Sequence, residues 1–266
     1  MKFIKSINVL ICSATTTLSA CTSVQAKIIS VSNMKDAKQS IENCNEKNLL
    51  IAFDVDMTIT QPDHPALFYS SLIKYKESYQ AIVGNLTPEQ KDIMLTLTIF
   101  QPQRLVEENT PEVIKNLQQV YKVIAFTNSL SKQDVIERRI NVLDGFGIKF
   151  SQNISGIKDV TLNDIKVYNN CHPLFTKGIL FGNGDAQGKG IVLCAFLKRL
   201  KKMPKVVVVI DDRKKNLEDI EKQLLGQKID VEFLGIEYKG AFTLQSTITE
   251  DEFKSFWTDL ANKAKT

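Results

Sequence analysis

Phe53-Asp54-Val55-Asp56-Met57-Thr58-Ile59-Thr60 places two carboxylates one residue apart directly after the apolar run Leu49–Phe53. A short apolar run with polar neighbours predicts a strand buried on both faces, as in a parallel sheet covered by helices. Ligand sites in open α/β sheets lie at the carboxyl ends of the strands. Buried acids are costly unless a cation or a reaction uses them, so we expect the functional site at this strand end.

Two more apolar runs end in polar residues. Val123–Phe126 leads into Thr127-Asn128-Ser129, and Val206–Ile210 leads into Asp211-Asp212. The unbroken valines of the second run again indicate a strand buried on both faces. Because the carboxyl ends of parallel strands meet at one edge of a sheet, these polar groups are predicted to converge with Asp54 and Asp56.

A lysine is the cation expected at the same edge. Lys189 stands between two glycines and opens the predicted helix Gly190–Lys201. Lys177 and Lys205 are nearby alternatives, but neither opens a helix. Lys189 is therefore the preferred candidate.

Two polar residues near these strand ends also have a structural interpretation. Ser129 could cap a helix that starts after it. Asn216 either orients Asp212 or caps the predicted helix Leu217–Leu225, and the cap is the preferred interpretation.

Strand and helix patterns alternate along most of the chain, which predicts a three-layer, Rossmann-like α/β fold with a parallel sheet. The predicted strands are Leu49–Phe53, Tyr121–Phe126, Ile148–Phe150, Gly178–Phe181, Val206–Ile210 and Val231–Ile236. We expect one domain over residues 27–266. The mostly helical stretch at about residues 61–108, here called the cap, is predicted to be an insertion above the sheet edge. Its aromatic residues either pack inside the cap or line the entrance: Phe68, Tyr69, Tyr75, Tyr79 and Phe100.

The set of strand-end residues and their order resemble the haloacid dehalogenase-like (HAD) superfamily of aspartate-nucleophile phosphatases and phosphotransferases. The four motifs of that superfamily correspond here to Asp54-Val55-Asp56-Met57-Thr58, Thr127, Lys189 and Asp211-Asp212. The resemblance covers the core, roughly residues 47–60 and 111–237. Each motif is weak alone, but four in the expected order are a strong signal. Position 57 is Met where many members of the superfamily carry Gly or Glu-like residues, and we attach no mechanism to this difference.

The resemblance implies a Mg²⁺-dependent phosphomonoester hydrolase. Asp54 would be the nucleophile that forms an aspartyl-phosphate, and Asp56 would act as the general acid and base. The metal ligands would be Asp54, Asp211 and the backbone carbonyl of Asp56. Dehalogenase relatives lack an acid at the position of Asp56, which favours phosphate ester hydrolysis.

The remaining motif residues would assist the reaction. Lys189 would add positive charge, and the Thr127 hydroxyl would donate to a phosphoryl oxygen. Thr58, Asn128 and Asp212 would support the site. Two alternatives stay open: a phosphotransferase of the same fold that passes the phosphoryl group to an alcohol, and a surface lipoprotein that uses the fold for binding.

The first 26 residues have the layout of a bacterial export signal, with Lys2 and Lys5 ahead of a mildly apolar segment. Two processing sites compete. Leu18-Ser19-Ala20-Cys21 resembles a lipobox that would leave a lipid anchor on Cys21, whereas Val24-Gln25-Ala26 fits cleavage of a soluble exported protein. The mature protein is expected in the periplasm or anchored to a bacterial membrane, with no other membrane contact.

Composition narrows the partners and the redox chemistry. The net charge of +4 is small and diffuse, so a nucleic-acid partner is not expected, and a small phosphorylated substrate is. Cys44, Cys171 and Cys194 follow the signal at irregular spacing, which fits neither a disulfide framework nor a zinc site. His64 and His172 are each followed by proline and are interpreted as structural.

Overall fold

The structure, a computed structural model, describes residues 26–152, 157–184 and 187–265. The predicted export signal therefore lies outside the described residues, apart from Ala26. Its cleavage and any lipid on Cys21 stay predictions. Across the described ranges, no helix has both the length and the apolar character needed to cross a bilayer.

Ten strands and nine α-helices follow one another in the described chain. The strands are β1 Ala26–Val31, β2 Leu49–Phe53, β3 Thr60–Pro62, β4 Gln103–Leu105, β5 Lys122–Thr127, β6 Val160–Thr161, β7 Leu174–Thr176, β8 Ile179–Phe181, β9 Val206–Asp211 and β10 Glu232–Tyr238. The helices are α1 Met34–Glu42, α2 Tyr69–Lys74, α3 Lys76–Val83, α4 Pro88–Ile99, α5 Thr110–Gln118, α6 Gln133–Gly145, α7 Lys189–Leu197, α8 Lys214–Gly226 and α9 Glu250–Lys263.

Eight strands form one sheet in the order β1-β10-β9-β2-β5-β8-β7-β6. In this sheet order, all neighbouring strands from β1 across to β8 pair in parallel. β7 then pairs antiparallel with β8, and β6 pairs antiparallel with β7 at the sheet edge. The fold is thus a Rossmann-like α/β fold with a mostly parallel sheet, as predicted. β2 lies in the middle, between β9 and β5, because its five residues are all buried and can pack against helices on both faces.

Helices cover both faces of the sheet. One face packs its apolar side chains against α1, α5 and α6, and the other packs against α7 and α8. Alternate residues of one strand point to opposite faces, so Ile51 belongs to the first core and Ala52 to the second. This two-sided burial fixes the register of the central strands, and with it the position of the residues that follow them.

A third apolar cluster joins the cap to the end of the chain. β3 and β4 pair antiparallel, and helices α2, α3 and α4 lie between them in the sequence. Their buried side chains pack against Phe253, Trp257 and Leu260 of α9. The indole Nε1 of Trp257 also donates to the carbonyl of Ala66 at 3.1 Å. The cap is therefore attached to the body of the protein by α9, which begins 151 residues after α4 ends (250 − 99).

The strand predicted at Ile148–Phe150 is wrong. Ile148 and Phe150 are buried, but residues Phe150–Gln152 form a 3₁₀ turn and pair with no strand. The alternating apolar pattern here indicates that two side chains are buried. A buried side chain does not require its backbone to pair with a neighbouring strand. Strands β1, β3, β4, β6 and β7, which lack long apolar runs, were not predicted.

Candidate active site

Three strand ends meet at the centre of the sheet edge. Phe53 pairs with Ala125 on one side and with Ile210 on the other, so the chain leaves β2 between β5 and β9. The amide of Asp54 continues this ladder by donating to the carbonyl of Ile210 at 2.8 Å. Asp54 therefore lies between the residues that end the two neighbouring strands.

Lys189 contacts all three of these strand ends. It is 2% exposed, and its Nζ lies 2.7 Å from Asp54 Oδ1, 2.7 Å from Asp211 Oδ2 and 3.1 Å from the carbonyl of Phe126. Burial alone would lower the pKa of this amine, but the charges of Asp211 and Asp54 outweigh burial and leave its pKa raised. Lys189 is thus a fixed cation. The alternatives Lys177 and Lys205 are both exposed and lie elsewhere.

Asp54, Asp211 and Asp212 form a buried acidic cluster whose carboxylate oxygens lie within 4.8 Å of one another. The ammonium of Lys189 contacts both Asp54 and Asp211, so with these two acids ionised one positive charge lies against two carboxylates. Burial, together with the neighbouring acids, raises the pKa of Asp54 well above its usual range, with Lys189 opposing. Burial and Asp211 raise the pKa of Asp212 to about 6. These three acids could hold a divalent cation, since carboxylate oxygens are the ligands that such hard cations prefer.

Asp211 is oriented by the start of α8. Its carboxylate accepts from the amide of Arg213 at 2.9 Å and from Asn216 Nδ2 at 2.9 and 3.2 Å. Neither interpretation of Asn216 was right, because the N-cap of α8 is Arg213 and the side chain contacts Asp211 instead of Asp212. The helix begins three residues earlier than predicted, which turns Asn216 towards the strand end.

Asp56 faces the same cavity but forms a different pair. Its carboxylate contacts the guanidinium of Arg139, a residue of α6 that is only 1% exposed. Arg139 Nε also donates to Ser129 Oγ at 2.9 Å. Arg139 was missed in the sequence, where its only signal was an arginine on the apolar face of a helix that otherwise buries Val135 and Val142.

Thr127 and Ser129 connect Arg139 with β5. Their hydroxyls lie 2.9 Å apart, and the amide of Ser129 donates to Thr127 Oγ1 at 3.1 Å. Thr127 Oγ1 lies 3.4 Å from Asp56 Oδ2. Ser129 is not a helix cap, since α6 begins only at Gln133 after the N-cap residue Lys132.

Met57 lies in the tight turn that follows β2. Met57 has a φ of +60°, a left-handed conformation that glycine adopts without strain and that costs other residues about 1 kcal/mol. Its amide donates to the carbonyl of Thr60 at 2.7 Å, which closes the turn. Thr58 is fully buried beneath this turn. The turn directs the Asp56 side chain towards the cavity.

The cap reaches the acidic cluster through Tyr69. The Tyr69 hydroxyl donates to Asp212, and its ring stacks on Phe242 with ring centroids 4.3 Å apart. Burial and the charge of Asp212 raise the pKa of this phenol, so it stays a donor. A second contact of the same kind joins the cap to the core, where Tyr168 donates to Asp92 of α4.

A cavity of about 400 Å³ extends from the acidic cluster to the cap helices. Its walls contain most of the predicted site residues together with Arg139 and Tyr69. The predicted residues that line it are Asp54, Asp56, Asn128, Lys189 and Asp212. The predicted residues Thr58, Thr127 and Asp211 do not line the cavity and are fully buried.

The two histidines have structural contacts, as predicted. His64 Nδ1 accepts from the amide of Ala66 at 3.2 Å and caps the 3₁₀ turn Pro65–Leu67, and its ring stacks on Phe256. His172 Nδ1 lies 2.8 Å from the carbonyl of Ile165. Cys44, Cys171 and Cys194 are free thiols.

The chain belongs to the family described as "Protein of unknown function (DUF2608)", whose model matches residues 30–264. An uncharacterized protein of Rickettsia bellii is 25% identical over 235 residues, which cover 81% of this chain and 78% of that protein. An uncharacterized protein of Rickettsia felis is 22% identical over 92% of this chain and 86% of its own length. Among solved structures, the HAD domain of the effector protein Lem4 from Legionella pneumophila aligns with a TM-score of 0.41 and 14% identity, covering 83% of this chain and all of that domain.

Proposed function

We propose that this protein is a Mg²⁺-dependent phosphomonoester hydrolase that acts through an aspartyl-phosphate on Asp54. The observation that carries the proposal is the juxtaposition, at one cavity, of the acidic cluster with Lys189 and of Asp56 with Arg139. The first group offers a nucleophile and a cation site. The second offers a proton carrier held in a fixed position.

The charge of the cluster supports a divalent cation. Three carboxylates in one buried cluster repel one another, and a bound Mg²⁺ would offset that repulsion. Asp54, Asp211 and Asp212 would hold the ion. When bound, it would supply positive charge to the oxygens of a phosphoryl group and so allow an anionic ester to approach an anionic nucleophile.

Donors around the cavity support an anionic substrate. Lys189 already lies against Asp54, so a phosphoryl oxygen bound beside Asp54 would also be near its ammonium. The Nη1 group of Arg139 is buried without a hydrogen-bond partner among the described residues, and Arg139 lines the cavity. A buried donor of this kind is costly unless a ligand accepts from it. Thr127 Oγ1 is a further donor at the same edge.

The reaction then has two balanced steps. A carboxylate oxygen of Asp54 attacks phosphorus while the bond from phosphorus to the ester oxygen breaks, and protonated Asp56 gives its proton to the leaving alkoxide. In the second step water attacks the phosphorus of the aspartyl-phosphate, and the Asp56 carboxylate takes a proton from that water. The bond to Asp54 breaks, which releases inorganic phosphate and regenerates both acids in their starting forms.

The test is phosphate release from p-nitrophenyl phosphate by the full chain with and without Mg²⁺. Asp54→Asn should reduce kcat by several orders of magnitude, because an amide is a poor nucleophile. Removing one residue of a catalytic unit removes most of the rate enhancement of the whole unit. Asp63→Asn is the matched control, since Asp63 is an exposed acid that pairs only with Arg104 on the surface. Acid-quenched native protein should carry the mass of one added phosphoryl group, and Asp54→Asn should not. Turnover that persists in Asp54→Asn would contradict the proposal.

A further inference from the structure

We propose that the substrate is a phosphomonoester of an uncharged, apolar alcohol, and that this alcohol binds between the acidic cluster and the cap helices. The inference rests on the hydrolase function proposed above and adds the class of its leaving group. It follows from the distribution of apolar and charged side chains around one cavity.

Most of the side chains that the cap and α9 add to the cavity wall are apolar, and the polar ones are Tyr69, Asp92, Thr96 and Thr98. The 3₁₀ turn Pro65–Leu67 and helices α2, α3 and α4 contribute aliphatic and aromatic side chains, and the C-terminal helix adds an indole. These wall residues are Leu67, Leu72, Tyr79, Leu95, Ile99 and Trp257. An alcohol that buries apolar surface here gains free energy in proportion to the area removed from water.

The positively charged side chains lie at the other end of the cavity. Among the described residues of its wall, the cations are Lys189, Arg139 and Arg213, and all three belong to the core. The first two are paired with the acids of the reaction centre, and Arg213 follows Asp212 directly. The only charged residue that the cap adds to the wall is the acid Asp92. A leaving group with a second phosphate or a carboxylate would therefore lose hydration without meeting a cation at the cap end.

The apolar wall is held in place by its own contacts. Trp257 is fixed by the hydrogen bond from its Nε1 to the carbonyl of Ala66. The Tyr79 ring packs edge-on against the indole, with ring centroids 4.7 Å apart. Burial raises the pKa of the Tyr79 phenol, which keeps this group neutral. A wall with few movable parts fits a preformed pocket, as is usual for small-molecule sites.

A homologous series of alkyl phosphates tests the inference. Ethyl, butyl and hexyl phosphate have leaving alcohols of nearly equal acidity, so differences in their turnover report binding of the alkyl chain. We expect kcat/KM of the full chain with Mg²⁺ to rise about threefold to fourfold for each methylene until the wall is covered. Hexyl phosphate should also exceed the analogue whose chain ends in a carboxylate by about tenfold or more.

Two adjacent leucine-sized residues of α2 provide a matched pair of variants. Leu72 lines the cavity, whereas the neighbouring Ile73 is 64% exposed and does not. Leu72→Ala should lower kcat/KM for hexyl phosphate about fivefold to tenfold and leave ethyl phosphate nearly unchanged. Ile73→Ala should change neither value. Leu72→Lys should narrow or invert the preference for hexyl phosphate over its carboxylate analogue, because it places a cation at the cap end.

Leu95→Ala is a second variant of the wall, chosen because Leu95 is exposed enough for its truncation to leave the fold intact. It should repeat the loss seen in Leu72→Ala. A flat or falling series with measurable turnover would overturn this inference and leave the hydrolase proposal standing. If the full chain with Mg²⁺ releases phosphate from none of these esters nor from p-nitrophenyl phosphate, both proposals fail.

Discussion

The side chain of Asp56 has its orientation set by a residue from a distant part of the chain. The turn at Met57 directs the carboxylate outward, and Arg139 of α6 holds it by the guanidinium. Arg139 is held in turn by Ser129. A planar fork with several donors can hold two such partners at once, which a lysine ammonium on a flexible stem does less well.

Arg139→Lys should therefore reduce turnover while keeping the positive charge. The ammonium cannot reproduce the bonds to Asp56 and Ser129 together, so the proton carrier loses its fixed position. Misplacement of a catalytic group by about 1 Å can cost about 100-fold, and we expect kcat/KM for p-nitrophenyl phosphate to fall about 10- to 100-fold. Steady-state kinetics on the full chain would measure this, with a thermal melt to show that the variant is folded.

Arg138→Lys is the control for that experiment. Arg138 is the preceding residue on the same helix, but its guanidinium donates to the carbonyls of Ile99 and Gln101 and does not reach the cavity. It should change kcat/KM by no more than about twofold. Equal losses in the two variants would mean that Arg139 acts only through the stability of α6.

The sequence predicted some of these residues and missed others for a physical reason. Asp54 follows β2, Asp211 ends β9 and Lys189 opens α7, so parallel pairing and the strand-to-helix connection predict that they meet at one edge of the sheet. Arg139 and Tyr69 reach the site from the faces of helices. Their contacts depend on how those helices dock, and no local pattern encodes docking.

Among the secondary-structure elements, strands formed by unbroken apolar runs were predicted well. A strand predicted from a few alternating apolar residues was wrong. β2 and β9 are fully buried and were found with errors of at most one residue. Residues 148–150 show the same kind of side-chain burial without a strand. One cause lies nearby: Gly178, with a φ of +80°, packs directly against the backbone of Phe150. Only a residue without a side chain can approach so closely. Gly178 therefore occupies the space beside the backbone of Phe150, where a pairing strand would lie.

The 3₁₀ turn at the start of the cap gives an element-scale prediction of pH dependence. Burial lowers the pKa of His64 against a smaller opposing effect of Glu252, and Nδ1 must be unprotonated to accept from the amide of Ala66. Between the lowered pKa and the ordinary value of about 6.5, the unfolded chain binds more protons than the folded one. The contribution of His64 to the free energy of unfolding is therefore complete above about pH 6.5 and is lost as the pH falls through the folded pKa.

His64→Asn isolates this contribution. Asparagine keeps a side-chain acceptor for the cap but does not titrate. Urea unfolding of both proteins at several pH values between about 5 and 7.5 should show a smaller rise of stability with pH in the variant. Groups that do not interact with His64 titrate alike in both proteins and cancel in the difference, whereas the interaction of His64 with Glu252 is part of what is measured. Parallel curves would show that His64 has the same proton affinity in the folded and unfolded chain.

On the scale of the whole molecule, three apolar clusters surround one polar centre. Two clusters lie on the faces of the sheet, and the third joins the cap to α9. The polar centre lies at the sheet edge with a cavity towards the cap. The alternation of strands and helices predicts the first two clusters. The third requires α9 to return over a segment far from it in sequence, which periodicity cannot reveal.

The polar centre concentrates like charge in the middle of the molecule, so a bound cation should stabilise the whole fold. Mg²⁺ that binds only the folded protein adds about 2.7 kcal/mol to the free energy of unfolding at a concentration of 100 times its Kd. Urea unfolding at matched ionic strength should show this increase in the free energy of unfolding.

Asp211→Asn should remove the stabilisation by Mg²⁺, because Asp211 supplies a fully buried carboxylate of the cluster. Asp144→Asn, which neutralises an exposed acid at the end of α6, should keep it. Each variant is compared with itself, with and without Mg²⁺, so a change in its intrinsic stability does not enter. An equal gain in Asp211→Asn would place the ion outside the cluster and would remove the charge argument for the metal centre.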